Sequence, residues 1–431
     1  MGLSKSTQIQ YASLELGVSA VESYLRLYLL IFLTTKLGLS PQLAGYAVAI
    51  GILWDAFADP LMGKISDKTA SRWGQRIPWM ILGTPLLMIS FVFLFSAASM
   101  SEWPPSLIFI GVTLLNIVLN TAMTMVSIPH LALGQDIAKS PDDRTSIYAW
   151  RTLMTLLGLL VGIAVPVIAG LLNLSLSERE SALIIGGLLL FSALISVLGA
   201  LKFAVKSDSV PQSLDSGPGF HWSQIFGRGF VFLFLAFYFA TFAQGLNSAI
   251  AMFYYKYTLG LTEQDLGIVL LVFILSLCLT LPLWVFAAKK VAKQKLIAWG
   301  TLLLGLASII VYPALPAHSL IGPIAMAIVG GALLGSSGLL ESLLVDVSAA
   351  QHVTDRQMGQ VFGLWKFTAK FARATAIAGG GQLLALTGFE SQKTAFSDAT
   401  LYNIALLFGP GVGVLFVVGA VILLKSETKG T

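Results

Sequence analysis

The sequence predicts an all-α membrane protein of twelve transmembrane helices in two six-helix halves, and three observations predict it. Hydrophobic residues make up 56% of the 431 and charged residues only 11%, with a mean hydropathy of +0.84, a balance foreign to soluble globules of this length. Apolar windows of about 20 residues, the length a helix needs to cross the hydrocarbon core, recur along the whole chain. They are too long and too uniformly apolar for barrel strands, so each must satisfy its own backbone as a helix.

The first half supplies six windows. Span one, Tyr11–Thr35, carries Glu15, Ser19, Glu22 and Arg26 at helical spacing. Glu22 and Arg26 are placed for an i, i+4 pair, which fits a structural ion pair as well as substrate contact. Span two, Gln42–Ile65, contains Trp54-Asp55-Ala56-Phe57-Ala58-Asp59-Pro60. An ionised carboxylate at membrane depth costs about 3 kcal/mol on insertion scales, so two of them one helical turn apart call for a bound cation or a proton. Asp59 taken alone also fits a helix end before the loop Ser66–Arg76. Span three is Pro78–Ala98. Span four, Ser106–Leu133, offers Asn116, Asn120, Thr124 and Ser127; span five, Ala149–Leu172, opens with Arg151; span six is Ala182–Phe203.

Residues 206–225, rich in Ser, Pro, Gly and Asp, form the longest polar connection and divide the chain into halves 1–205 and 226–431. Span seven, Gly229–Tyr257, carries Gln244, Asn247 and Ser248 around Gly245. Span eight, Asp265–Ala288, holds Cys278, and a single cysteine excludes a disulfide framework and a thiolate metal site. Span nine is Leu296–Ala314. Span ten, Gly322–Val345, contains Gly330, Gly331, Gly335 and Gly338, which permit close contact and bending. Span eleven, Gln360–Leu386, carries Trp365, Lys366, Lys370 and Arg373; Lys370 lies deepest, whereas Lys366 and Arg373 can reach the interface. Span twelve is Thr400–Leu424. A 6+6 arrangement with a midplane site between the halves is the architecture of a rocking transporter. Trp365, Phe234, Tyr238 and Tyr254 are the aromatics expected to line its cavity.

Lys64, Lys68, Arg72 and Arg76 follow span two, and Lys289, Lys290, Lys293 and Lys295 follow span eight. This bias places both termini in the cytoplasm. It also accounts for the net charge of +5 without nucleic-acid binding. Asp136, Asp142, Asp143, Arg144, Asp346 and Asp355 are expected at the same membrane face, as latches between the halves or as a solvated surface. The Met1–Gln10 stretch is polar and the first apolar run too long for a cleaved signal core, so that run is expected to stay as a span. His130, His221, His318 and His352 show no metal-ligand or nucleophile–base spacing, which argues against an enzyme. A channel would need a ring of charges or a filter sequence, and neither is visible.

Two blocks carry a family resemblance: Trp54-Asp55-Ala56-Phe57-Ala58-Asp59-Pro60-Leu61-Met62-Gly63 and Ser71-Arg72-Trp73-Gly74-Gln75-Arg76-Ile77-Pro78-Trp79, supported by Ile128-Pro129, Arg151 and Phe362-Gly363-Leu364-Trp365 with Lys370. The chain resembles major facilitator superfamily transporters of the glycoside-pentoside-hexuronide cation symporter group, typified by melibiose permeases. The resemblance implies the major facilitator fold and a cation site of Asp55, Asp59 and Thr124. The two acidic residues that hold sugar hydroxyls in melibiose permeases correspond to Ser19 and Ser127, an asparagine of their cation site to Ala58, and an upstream arginine to Ile52. Lysolipid symporters of the same superfamily resemble this chain at Ala58 and at the span-eleven lysine.

The expected activity is secondary active symport of a sugar, glycoside or related small solute, coupled to Na+ or H+ held by Asp55 and Asp59. The alternative is cation-coupled transport of a lysophospholipid-like amphiphile. Substrate contacts are expected from Ser19, Glu22, Arg26, Ser127, Arg151, Gln244, Asn247, Trp365 and Lys370. Without carboxylates at Ser19 and Ser127, and with Arg151 and Lys370 present, the cavity should favour an anionic group. No cofactor beyond the coupling ion, no nucleic-acid partner, a monomer in the bilayer, and a bacterial inner membrane complete the expectation.

Overall fold

The computed structural model describes residues 3–138, 140–174, 176–201, 227–350, 355–391, 393 and 395–425; side chains at 141, 142, 144, 145, 228, 263, 350, 355–357 and 359 are not among those described. The expected linker 206–225, His221, His352 and the side chains of Asp142, Arg144 and Asp355 therefore lie outside the described residues. Among those described, every regular element is helical.

The chain divides into two compact units, Met1–Leu39 with Ile50–Leu214, and Ser40–Ala49 with Asp215–Thr431. The first unit is built from α1 (Lys5–Ala12), α2 (Leu14–Thr35), most of α3 (Pro41–Asp67), α4 (Ile77–Ser96), α5 (Pro105–Ile137), α6 (Pro141–Leu171) and α7 (Glu178–Leu201). The second contains α8 (Arg228–Phe253), α9 (Glu263–Ala287), α10 (Lys293–Val311), α11 (Ile321–Leu334), α12 (Leu340–Ala350), α13 (Asp355–Leu386), α14 (Asp398–Leu406) and α15 (Val412–Lys425). Among the described residues the expected twelve spans are present as twelve helical rods, because α1 runs into α2, α11 into α12, and α14 into α15.

Those junctions have local causes. Span one starts six residues earlier than its apolar window, at Lys5, because the Ser4 hydroxyl caps α1 by accepting from the Thr7 amide at 3.2 Å. The rod breaks at Ser13. Between α11 and α12 the chain tightens into a 3-10 turn at Gly335–Leu339. There the Trp284 indole donates to the Ala332 carbonyl at 2.7 Å, so the irregular backbone is satisfied by a side chain rather than water. Wide π-turns occur at Tyr254–Thr258 after α8 and at Leu407–Gly411 between α14 and α15. The second contains Pro410, which has no N–H to donate.

Ten of the rods are long and apolar enough to cross a membrane. The remaining two, α3 and α13, are those bearing Asp55 with Asp59 and Lys366 with Lys370 and Arg373. Large apolar side chains such as Phe57, Phe93, Leu279 and Ile310 are exposed, while Thr124, Asn116, His130 and Glu15 are buried. That inversion of the soluble pattern is what a lipid-facing surface requires. In the first unit Tyr24, Phe32, Phe91 and Phe95 pack at ring distances of 4.9 to 5.8 Å. Gly158 and Gly162 of α6 bring that helix against α2: a Cβ on Gly158 would stand 2.3 Å from the Leu16 carbonyl oxygen. The second unit's core gathers Phe230, Leu233, Ile297, Leu344 and Trp365.

Candidate functional site

Residues 51, 55 and 59 share one face of α3, and residues 116, 120 and 124 share one face of α5. The two faces meet inside the first unit. Thr124 Oγ1 donates to Asp55 Oδ1 at 2.6 Å and also lies 3.1 Å from Asp59 Oδ1. One hydroxyl proton is thus offered to two carboxylates that repel each other, Asp55 buried and Asp59 half-buried. A cation would relieve that repulsion and find three hard oxygen donors already converging. Asp55, Asp59 and Thr124, expected together from the family resemblance, are brought together. No group of three His, Cys, Asp or Glu side chains capable of holding a metal gathers among the described residues, so the set consists of two carboxylates and a hydroxyl.

The approach of the helices depends on Gly51. A Cβ there would fall 2.2 Å from Asn116 Nδ2 and 2.9 Å from Asn120 Nδ2. Asn120 in turn donates to the Asn116 side-chain oxygen at 3.0 Å, so the polar face of α5 continues one turn beyond the carboxylates. On the other flank the Trp54 indole donates to Thr121 Oγ1 at 2.8 Å.

The other expected site residues are distributed differently. Glu22 and Arg26 form the anticipated i, i+4 pair at 2.9 Å with both side chains nearly half exposed. Ser19 is buried against Gly158, its Cβ within 2.9 Å of where a side chain on that glycine would begin. Ser127 is half-buried. Arg151 does not stand as an open cation: its Nε and Nη2 both reach Glu15 Oε1 at 2.5 Å. The positive bias expected from Arg151 is therefore balanced within the unit. In the second unit Gln244 lines a narrow cleft with Ala240, Thr301, Ser337 and Phe416, and Asn247 and Lys370 are half-buried. Trp365 corrects the expected aromatic lining: only 3% exposed, it stacks on Phe237 at 3.5 Å and meets Phe234 edge-on at 5.3 Å. Tyr254 is likewise core, stacked on Phe408 at 4.5 Å with its hydroxyl donating to the Tyr312 carbonyl.

The charged loops tie each unit internally. Arg76 donates to Asp136 at 3.3 Å and to Ser66 at 2.8 Å, and pairs with Asp67; Lys293 holds Asp346 at 2.6 Å. Asp143 accepts from the Leu3 amide at 3.0 Å. Among the described residues, Asp136 and Asp346 make these contacts within their own units.

One cluster was not legible in the sequence. His130 on α5 is buried between Glu15 and Tyr11, with Nδ1 3.3 Å from Glu15 Oε1 and Nε2 2.9 Å from the Tyr11 carbonyl. Glu15 had been visible only as part of a polar stripe, and His130 as an isolated histidine.

A family model described as MFS/sugar transport protein matches residues 10–425. An uncharacterized symporter of Synechocystis sp. is 30% identical over 156 residues, 34% of this chain; the match spans 27% of that relative's length. Sodium-dependent lysophosphatidylcholine symporter 1 of Mus musculus is 24% identical over 430 residues, 91% of this chain and 80% of the relative. In fold, the chain is similar to the crystal structure of a bacterial homologue of the iron transporter ferroportin, with a TM-score of 0.71 at 14% identity over 99% of this chain and 100% of that one.

Proposed function

This chain belongs to the MFS/sugar transport protein family, and from that premise we propose that it is a multi-pass secondary transporter performing cation-coupled symport by alternating access. The observation that carries the coupling is the Thr124 hydroxyl set against both Asp55 and Asp59. Na+ or H+ bound there lowers the repulsion of the carboxylates and holds α3 to α5. Coupling then requires only that the cation and the solute favour the same conformation, typically by about 1 to 3 kcal/mol.

A sugar, glycoside or related small organic solute is the first substrate class, supported by the family's description. Ser127, partly exposed, can offer a neutral hydrogen bond to it. The second reading is a lysophospholipid-like amphiphile. It is supported by the likeness to a sodium-dependent lysophosphatidylcholine symporter over most of both chains and by Lys370, a cation on α13 able to meet a phosphate. The lysines and arginines after spans two and eight support a cell membrane location with both termini cytoplasmic.

Uptake into proteoliposomes under an inward Na+ or H+ gradient, across a neutral galactoside, an acidic sugar and a lysophosphatidylcholine, tests the proposal. Asp55→Asn and Asp59→Asn should each abolish gradient-driven accumulation of whichever solute the wild type takes up. Undiminished accumulation in both variants would refute the cation site.

A further inference from the structure

The first unit contains a second cluster of ionisable groups, at the junction of α1, α2, α5 and α6 and separate from Asp55, Asp59 and Thr124. His130 is 1% exposed and its two ring nitrogens face two oxygens: Glu15 Oε1 at 3.3 Å and the Tyr11 carbonyl at 2.9 Å. A neutral imidazole carries one N–H and one bare lone pair. The Tyr11 carbonyl can never donate, and an ionised carboxylate cannot either. Each neutral tautomer therefore satisfies one oxygen and turns a nitrogen lone pair against the other, in a site too dry for water to intervene.

One additional proton removes the conflict. On His130 it gives an imidazolium that donates from both nitrogens; on Glu15 it gives a carboxyl that donates to Nδ1 while Nε2–H serves Tyr11. Arg151, with two nitrogens at 2.5 Å from Glu15 Oε1, favours the ionised carboxylate and hence the imidazolium. The surroundings suit a cation there. The Tyr11 ring stacks on the imidazole at a centroid distance of 4.3 Å, and the Tyr11 hydroxyl donates to the His130 carbonyl at 2.8 Å. Ser196 of α7 donates to the same Tyr11 carbonyl that faces Nε2. Among the described residues, Tyr148 of α6 is a further titratable neighbour, beside Tyr11.

We propose that Glu15 and His130 form a proton-binding site of the first unit, distinct from the coupling-cation pair, which holds one proton shared between imidazole and carboxylate beside Arg151. Loss of that proton sets the ring against an oxygen and loosens α1 and α2 from α5. The protein thereby acquires a pH sensitivity seated apart from the coupling-cation pair.

The test is nitrogen NMR of full-length protein with 15N-labelled histidine in detergent micelles, the signal being assigned by its loss in His130→Asn. Should that variant not fold, replacing His221, His318 and His352 by Gln leaves His130 as the one labelled ring. Near pH 7.5 both nitrogens of His130 should be protonated, and Asp55→Asn should leave them so, whereas Glu15→Gln should return the ring to one protonated nitrogen. A neutral ring together with a protonated Glu15 carboxyl, seen as an infrared band lost in Glu15→Gln, supports the same site with the proton on the acid. A ring with one bare nitrogen across about pH 6 to 9, beside an ionised Glu15, overturns it.

Discussion

Thr124 makes the sharpest single-residue prediction, because its hydroxyl touches both carboxylates. Thr124→Val keeps the shape and removes a hydrogen bond to a charged acceptor, worth about 1.5 to 3 kcal/mol, so apparent Na+ affinity in solute uptake should fall about tenfold or more. Thr124→Ser should retain most of it. Equal affinity in Val and wild-type proteins would mean that the hydroxyl is not a ligand. The carboxylates make a second prediction: added Na+ should raise the melting temperature of the purified wild type, as any ligand of the folded state does. Asp55→Asn should lose that rise. Asp55 and Asp59 were legible in the sequence because a charge in an apolar window is costly and their spacing puts them on one face. Their partner entered only through the family resemblance. Glu15, His130 and Arg151 were not legible as a cluster: their contacts join positions 115 and 136 residues apart, and helical periodicity fixes a face without saying which helix it meets.

For the helices, the consequential contact is between α2 and α6. A side chain at Gly158 would meet a backbone carbonyl rather than a flexible side-chain tip, so Gly158→Val must push the helices apart, at about 1 to 3 kcal/mol. Gly187→Ala, on α7 where a Cβ meets nothing within 4 Å, should be neutral or slightly stabilising. Thermal unfolding in detergent, followed by the loss of the monodisperse size-exclusion peak, should order the proteins with Gly158→Val lowest. Window length and hydropathy made the rods themselves easy to read. Their irregularities were harder. The start at Lys5 depends on a serine cap in a polar segment, and the π-turns on aromatic packing such as Tyr254 on Phe408, neither of which leaves a periodic trace.

Across the whole molecule, the balance of charge decides between solute classes. Arg151 is paired with Glu15, and Lys370 is the span-eleven cation proposed to meet an anionic solute. Lys370→Ala should weaken uptake of an acidic sugar or lysophospholipid about tenfold or more while sparing a neutral galactoside; equal loss for all three would assign the lysine to packing. A polar connection at 206–225 was legible in the composition. The grouping of Ser40–Ala49 with the second unit was not, because α3 is a continuous helix with no break in sequence to mark the change.

The indole of Trp54 gives the protein a built-in optical gauge. It sits one position before Asp55 and bonds to Thr121, three residues before Thr124, while remaining 43% exposed. An ion that draws the carboxylates toward Thr124 must shift this indole against α5. Titrating Na+ into the protein should therefore change the wavelength or intensity of its emission, and Trp54→Phe should abolish that change while leaving Na+-driven uptake measurable. A full response in Trp54→Phe would assign the signal to another tryptophan.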